Sequence, residues 1–403
     1  MRKKIDVDSL VVGMYLQEIE GAWIANPFWR KSFLLESGRD IALIRASTIR
    51  EVWIDTARGL DVPQPAGERL EADVPVHVVE QARPDLGEQP VSMAEELRRA
   101  TRICADSKQA VANMFQEARM GNTVDAAGVG RLVQEISDSV ARHPDALISL
   151  ARLKTADDYT YMHSVAVCAM MIALARQLGL NEADTRAAGI AGLVHDMGKA
   201  MLPMSVLNKP GKLTPSEFAI VKSHPELGHG ILQRGGNADA MALDVCLHHH
   251  ERIDGTGYPN GLRADQISLH ARMAAVSDVY DAITSNRPYK TGWDPAESMR
   301  KMAEWAGTHF DVQVFQAFAK SLGIYPVGSL VRLSSGHIGV VSAQGGKSLT
   351  QPVVQVFYST KTNQRVPPRR LNLSDAGCTD TITAREDPTQ WQFADVDDLW
   401  QAD

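Results

Sequence analysis

The chain carries only four cysteines in 403 residues, Cys104, Cys168, Cys246 and Cys378, far apart and without a Cys-x-x-Cys pair. That spacing excludes a disulfide framework and a zinc ribbon, and it fits a reducing cytoplasm. Long hydrophobic runs are missing too. The longest, Val165 to Ala175, stops at Arg176, well short of the ~20 residues needed to span a bilayer. Behind the basic start MRKKIDVDSL there is no apolar core, so it does not read as a signal peptide. Positive charge is in deficit: a net charge of -7 argues against a surface for nucleic-acid polymers, yet leaves room for a local cationic site facing a small anion. There is neither an internal repeat nor a low-complexity tract.

What remains is an ordinary globular composition, 44% hydrophobic and 23% charged, with length for two or three domains. Residues 1–64 hold short strand-like pieces, Leu10 to Leu16, Ser32 to Leu35 and Glu51 to Ile54, broken by glycine and proline. No receiver domain is legible there. The aromatic residues Trp23, Phe28, Trp29 and Phe33 suit the core of a small β module as well as a recognition surface. Prolines at 63, 65, 75, 84 and 90 mark 65–91 as linker. From Met93 to about Leu322 the pattern is helical. After that, Ser329 to Leu333, Ile338 to Ser342 and Val353 to Tyr358 read as strands of a C-terminal appendage over 326–403. The expected fold is mainly α, with a small β-containing module before the helical region and a short β-rich appendage after it.

Within the helical region, Asn181 and Glu182 open a segment that runs to Gly198, which puts His195 and Asp196 at a helix end beside a loop. Thr214, Pro215 and Glu217 form a capping box, so His224 is expected near the end of the helix that follows, just before Pro225. Ser268 is an N-cap for a helix through Asn286, on which Asp278 and Asp281 share a face. Together His163, His195, Asp196, His224, His249, His250 and Asp278 form a nitrogen and oxygen donor set without thiolate, which favours hydrolytic or oxygen chemistry over a structural zinc.

Alone, a His-Asp dipeptide means little. Here YTYMHS, HDMGK, KPGKLTPSEFAIVKSH, HHERIDGTGYPNGL and VSDVYDAITSNRPYK occur in this order in one helical region. This series resembles the HD-GYP family, the bacterial branch of the HD phosphohydrolases that hydrolyses cyclic dinucleotides, chiefly cyclic di-GMP. The resemblance covers about residues 150–325 of a helical region at 92–325, and residues 1–64, with GMYLQEIEGAWIANPF, look like the uncharacterised domain that often precedes such catalytic domains.

The resemblance implies an HD-type catalytic domain and two divalent ions, iron or manganese. One would be held by His163, His195, Asp196 and Asp278 and the other by Asp196, His224, His249 and His250, with Asp196 as bridge and as part of the catalytic machinery. Two ions roughly 3.5 to 4 Å apart lower the pKa of a shared water toward about 7 and clamp a phosphodiester for in-line attack. Some relatives place a glutamate four residues before the first histidine and hold a third metal with it; this chain has Tyr159, which implies two. Asp157 and Asp158 read as solvated helix-start acids.

By the same resemblance Lys199 stabilises the phosphate or assists the leaving 3′ oxygen, and Arg287 and Lys290 clamp the phosphate. Tyr258, in the loop from Asp254 to Gly261, walls the substrate side, and the Gly257-Tyr258-Pro259 segment is a contact for diguanylate cyclases. Asp281 and Glu251 are candidates to accept the second ring N–H of a metal-bound histidine. His248, His229 and His270 read as ordinary structural histidines. The expected activity is hydrolysis of cyclic di-GMP to linear pGpG and onward to GMP. The alternatives are a catalytically weak receptor acting through partners, and a phosphodiesterase for another cyclic dinucleotide such as cyclic GMP-AMP.

Overall fold

The computed structural model describes residues 2–19, 33–35, 41, 51–61, 93–123, 125–152, 159–236, 238–285, 292–345, 348–393 and 395–401. They fall into two compact units, Met1–Gln89 and Pro90–Asp403. In the first, strands β1 (Arg2–Asp6), β2 (Tyr15–Ile19), β3 (Phe33–Leu34) and β4 (Glu51–Asp55) form an antiparallel sheet in the order β1-β4-β2-β3. Strand side chains alternate between faces, and β4 obeys this: Val52 and Ile54 are buried with Ile5, Met14, Leu16 and Leu35, while Glu51 is exposed. The strand expected over Leu10 to Leu16 starts only at Tyr15. Val7–Ser9 forms a 3-10 turn, and Gly13 at φ +96° reverses the chain so that its N–H reaches the Leu35 carbonyl. Trp23, Phe28 and Trp29, and the Phe33 side chain, lie outside the described residues.

The second unit opens with α1 (Met93–Arg119), α2 (Ala126–Arg142), α3 (Pro144–Arg152), α4 (Tyr159–Gln177) and α5 (Glu182–Val194). A 3-10 turn (Met197–Met201) leads to α6 (Met204–Leu207), α7 (Pro215–Val221), α8 (His224–Arg234) and α9 (Ala240–His248). Then come α10 (Leu269–Thr284), α11 (Pro295–Trp305) and α12 (Val312–Leu322). A helix that is apolar all round belongs inside, and α4 shows it: Val165 to Ala175 are buried, with α3, α5 and α10 packed around them. No described helix is long and apolar enough to cross a membrane. No disulfide joins the four cysteines.

The expected caps are present at Asn181, at Thr214 with its reciprocal Glu217 bond, and at Ser268. His224 departs from expectation. α7 ends at Val221, and His224 opens α8 instead of closing α7. Pro225 explains this, because proline lacks the N–H that a first-turn residue does not need.

The C-terminal sheet runs β8-β7-β6-β5-β9, all antiparallel: β5 (Leu330–Leu333), β6 (His337–Ala343), β7 (Val353–Ser359), β8 (Gln364–Asn372) and β9 (Ile382–Arg385). Short helices α13 (Pro388–Trp391) and α14 (Val396–Gln401) follow. The first three strands follow the sequence pattern, although β7 is buried on both faces from Val353 to Phe357 instead of alternating. β8, QRVPPRRLN, carries no hydrophobic pattern because it is an edge strand, where proline and arginine are tolerated.

Candidate metal centre

Three helix ends and two helix interiors build the centre. The last four carbonyls of a helix lack an intrahelical partner. His195 caps α5, His224 follows the end of α7, and His249 caps α9. Each turns its Nδ1 back onto such a carbonyl: His195 to Gly192 at 2.7 Å, His224 to Val221 at 2.7 Å, and His249 to Val245 and Cys246 at 3.1 Å each. A carbonyl only accepts, so Nδ1 carries the proton in all three rings and Nε2 presents a lone pair. His163, inside α4, has its Nδ1 proton fixed by a different route: it donates to Asp281 Oδ2 of α10 at 2.6 Å.

The Nε2 atoms converge with two carboxylates. His163 Nε2 lies 3.0 Å from Asp278 Oδ1 and 3.4 Å from Asp196 Oδ2, and His195 Nε2 lies 3.4 Å from the same Asp196 oxygen. The other Asp196 oxygen is 3.2 Å from His224 Nε2 and 3.7 Å from His249 Nε2. His250 Nδ1 stands 3.6 Å from Asp278 Oδ2. Candidate ligand atoms group as His163, His195 and Asp278, as His195, Asp196 and His249, and as His224, His249 and His250, within 4.8 Å of one another in each group. All seven side chains but His250 are buried. Close backbone contact sets this spacing. A Cβ on Gly198 would sit 1.8 Å from the His224 carbonyl oxygen, so only glycine lets the turn after Asp196 meet the start of α8.

Does this set fit a cation? His224 and His249 face each other Nε2 to Nε2 at 3.2 Å, although both rings have their proton on Nδ1. Two lone pairs cannot bond each other. His195 Nε2 and Asp196 Oδ1 are likewise buried without a hydrogen-bond partner. Buried polar atoms are rarely left so, and a divalent ion answers all of them. Neutral imidazole and carboxylate are the donors such ions take. The ring protons fixed on carbonyls and Asp281 are the outer contacts that orient metal-binding histidines.

Electrostatics agree. Burial would raise the Asp196 carboxyl, but Lys199, His195 and His163 outweigh it and hold the group well below its usual range. Burial opposes charge on Asp278 too, and His163, His250 and His195 overcome it. Burial lowers His163, yet Asp196, Asp278 and Asp281 together raise it to about 10. His250 goes the other way, pushed down to about 3 chiefly by burial.

Around the ligands, the Lys199 ammonium donates to Asp196 Oδ2. Tyr258 is half-buried, its ring 4.7 Å from the His250 ring, and its N–H donates to the His250 carbonyl at 3.2 Å. A Cβ on Gly257 would come within 2.5 Å of the Glu251 Cα, so the loop folds directly back on the His249-His250-Glu251 segment. Glu251 needs correction. Its two carboxylate oxygens accept from the N–H groups of Asn260 at 2.6 Å and Leu262 at 3.0 Å, so it pins the loop and does not orient a histidine. Asp281 takes the histidine-orienting place. His248 is held by Asp244 at 2.8 Å. Arg287 and Lys290 lie outside the described residues, as do Asp157, Asp158 and the Tyr159 side chain.

Residues 134–314 match the family described as HD domain, and residues 2–129 match a domain of unknown function (DUF3391). Over 401 residues, 99% of this chain and 96% of the relative, the sequence is 53% identical to a cyclic di-GMP phosphodiesterase of Pseudomonas aeruginosa. The chain belongs to the HD-GYP family. This HD-GYP protein is also 38% identical, over 47% of its length and 51% of the relative's, to a cyclic di-GMP phosphodiesterase response regulator of Xanthomonas campestris. A 3′3′-cGAMP-specific phosphodiesterase of Vibrio cholerae is 35% identical over 42% of this chain and 36% of its own.

Sequence reasoning missed the carbonyls of Gly192, Val221, Val245 and Cys246, since every residue has one and only a histidine three or four places after it hints at the role. It also missed Ser285, whose hydroxyl donates to Asp281 Oδ1 at 3.2 Å.

Proposed function

We propose that this chain hydrolyses cyclic di-GMP to linear pGpG and then to GMP at the centre just described. The observation that carries the proposal is the buried set of histidine lone pairs around Asp196, which calls for cations. The 53% identity to a cyclic di-GMP phosphodiesterase along nearly the whole chain supports the substrate. His163, His195, Asp196 and Asp278 would hold one divalent ion, and Asp196, His224, His249 and His250 the second, iron or manganese. When bound, the pair supplies an activated water and charge for the phosphodiester.

The chain's own groups do the rest. Asp196 turns one oxygen to His163 and His195 and the other to His224 and His249 and would serve both ions, the four fixed Nδ1 protons keep the rings aimed inward, and Lys199 holds Asp196 while offering its proton toward the leaving 3′ oxygen. Arg287 and Lys290 neutralise and orient the diester, and Tyr258 walls the substrate side. Water adds across the P–O3′ bond and the 3′ oxygen leaves with a proton. Residues 1–64 serve as a regulatory module joined by 65–91, residues 92–325 form the catalytic helical region, and 326–403 are an appendage. The loop Gly257-Tyr258-Pro259 is the surface for a diguanylate cyclase, and the cytoplasm is the compartment.

The test is turnover by the full chain loaded with manganese or iron, with cyclic di-GMP and 3′3′-cGAMP as parallel substrates and products separated by chromatography. The expected result is pGpG followed by GMP, faster from cyclic di-GMP. Tight nucleotide binding without turnover in any metal would establish the receptor reading instead.

A further inference from the structure

The end of α1 reaches the active-site turn. Arg119, in the last turn of α1, donates from Nε to the Ala200 carbonyl at 2.9 Å, and its terminal nitrogen lies 3.3 Å from Met204 Sδ. Ala200 sits in the 3-10 turn Met197–Met201 and is bonded through its own peptide to Lys199, whose ammonium meets Asp196. One turn earlier on the same face, Phe115 packs edge-to-face on Tyr161, ring centres 5.6 Å apart, two residues before His163. The helix end is itself fixed: Gly121 at φ +82° closes it, with Gly121 N–H on the Ala118 carbonyl and Asn122 N–H on the Glu117 carbonyl. Arg119 therefore leaves from a rigid point. A cation on the last carbonyls of a short helix is also favourably placed in that helix's dipole.

The membership of α1 is the second observation. By packing it belongs to the unit Pro90–Asp403, whereas by sequence it lies within residues 2–129, matched to the domain of unknown function. The same helix therefore carries the stamp of the uncharacterised region and the contact to the catalytic turn.

We propose that Arg119 is a positioning residue for Lys199: it anchors the turn at Ala200, and through it the stretch of chain matched to the uncharacterised domain takes part in phosphodiester hydrolysis. This rests on the role given to Lys199 above. Loss of the bond frees the turn, so the Lys199 ammonium is presented less often to Asp196 and to the leaving oxygen. The ligand histidines His163, His195, His224 and His249 keep their own anchors on carbonyls and on Asp281, so the metals are expected to stay bound.

The experiment is a double-mutant cycle on the full-length manganese-loaded protein with Arg119→Gln, Arg119→Lys, Lys199→Met and the pair Arg119→Gln/Lys199→Met. Folding is checked by melting temperature and circular dichroism, and metal content by mass spectrometry. One anchoring hydrogen bond corresponds to about threefold to tenfold in rate, so Arg119→Gln should lower kcat by about that factor with KM and metal content unchanged. Arg119→Lys keeps a cationic donor and should recover most of the loss. In the Lys199→Met background, Arg119→Gln should have no further effect, because the two act through one path. Additive losses, or a loss in metal content, would overturn the proposal. If Lys199→Met lowers kcat while Arg119→Gln does not, Arg119 alone is wrong; if Lys199→Met keeps full activity, the role of Lys199 falls as well, and Arg119 with it.

Discussion

Asp281→Asn is the change that best separates a metal centre from a mere cluster of buried histidines. Asp281 is 2% exposed, accepts from His163 Nδ1 at 2.6 Å and receives the Ser285 hydroxyl at 3.2 Å. Asparagine preserves its shape and removes its charge. A charge-assisted bond is roughly twice as strong as a neutral one, and loss of such an outer carboxylate costs about 10- to 100-fold in metal affinity, or about 1.4 to 2.8 kcal/mol. If the amide turns its NH2 toward the ring, Nδ1 must become the acceptor and the proton moves to Nε2, which removes His163 as a ligand and gives the upper end of that range. The assay is competition for manganese against a chromophoric chelator, followed by kcat at saturating metal. Affinity should fall by that factor, while kcat at saturation stays within a few-fold. Glu251→Gln is the comparison: both Glu251 oxygens hold loop N–H groups, so it should raise KM for the nucleotide and leave metal affinity alone. An Asp281→Asn protein that binds manganese like the parent would refute the reasoning from ring tautomers.

Asp196 has an oxygen on each side of the centre, so Asp196→Ala should abolish turnover and lower metal content, measured by mass spectrometry, more than His163→Ala does; retention of two ions and activity would end the two-ion assignment. With Tyr159 at the position of the third-metal glutamate, the parent should hold two ions per chain and not three. Arg287→Ala and Lys290→Ala should keep both metals and lower kcat/KM roughly tenfold to a few hundredfold, the worth of a charge-assisted phosphate contact; metal loss would make them structural. Protein beginning near Met93 should, if folded by circular dichroism, still bind two metals and turn over cyclic di-GMP, and a folded but inactive truncation would give residues 1–64 a share in the site.

Much of the centre was legible because its chemistry is concentrated in rare residue types. Histidine beside aspartate at the end of a capped helix, at His195 and Asp196, is readable from Asn181 onward, and the structure puts both where the cap predicts. What was not legible depends on partners without a sequence signature. Backbone carbonyls fix three rings. Glu251 adjoins the histidine pair in sequence, yet Gly257 folds the loop over it and its oxygens go to main-chain N–H groups instead. β8 was missed for a related reason: an edge strand bonds on one side only, so its residues need not be hydrophobic.

The charge balance of the centre leads to one further expectation. Asp196, Asp278 and Asp281 all face His163 from a buried position, and several unscreened carboxylates are costly there unless a cation accompanies them. In the metal-free protein the Lys199 ammonium offsets Asp196, and the proton on His163 is the second cation, which is why its pKa is raised from the ordinary 6.5 to about 10 despite burial. A raised histidine contributes stability that is fully present below the unfolded value and is lost as pH climbs through the folded one. Metal-free protein should therefore melt at progressively lower temperature between about pH 7 and pH 10 on this group's account. A metal at His163 takes the place of that proton, since a ligand nitrogen must be deprotonated. Manganese loading at about pH 8 should then release a proton, read as a binding heat that changes with the ionisation enthalpy of the buffer, and apparent affinity should rise with pH until His163 is neutral. Binding heats identical across buffers would show that His163 is already deprotonated before the metal arrives, and Lys199 alone would then have to offset the three carboxylates.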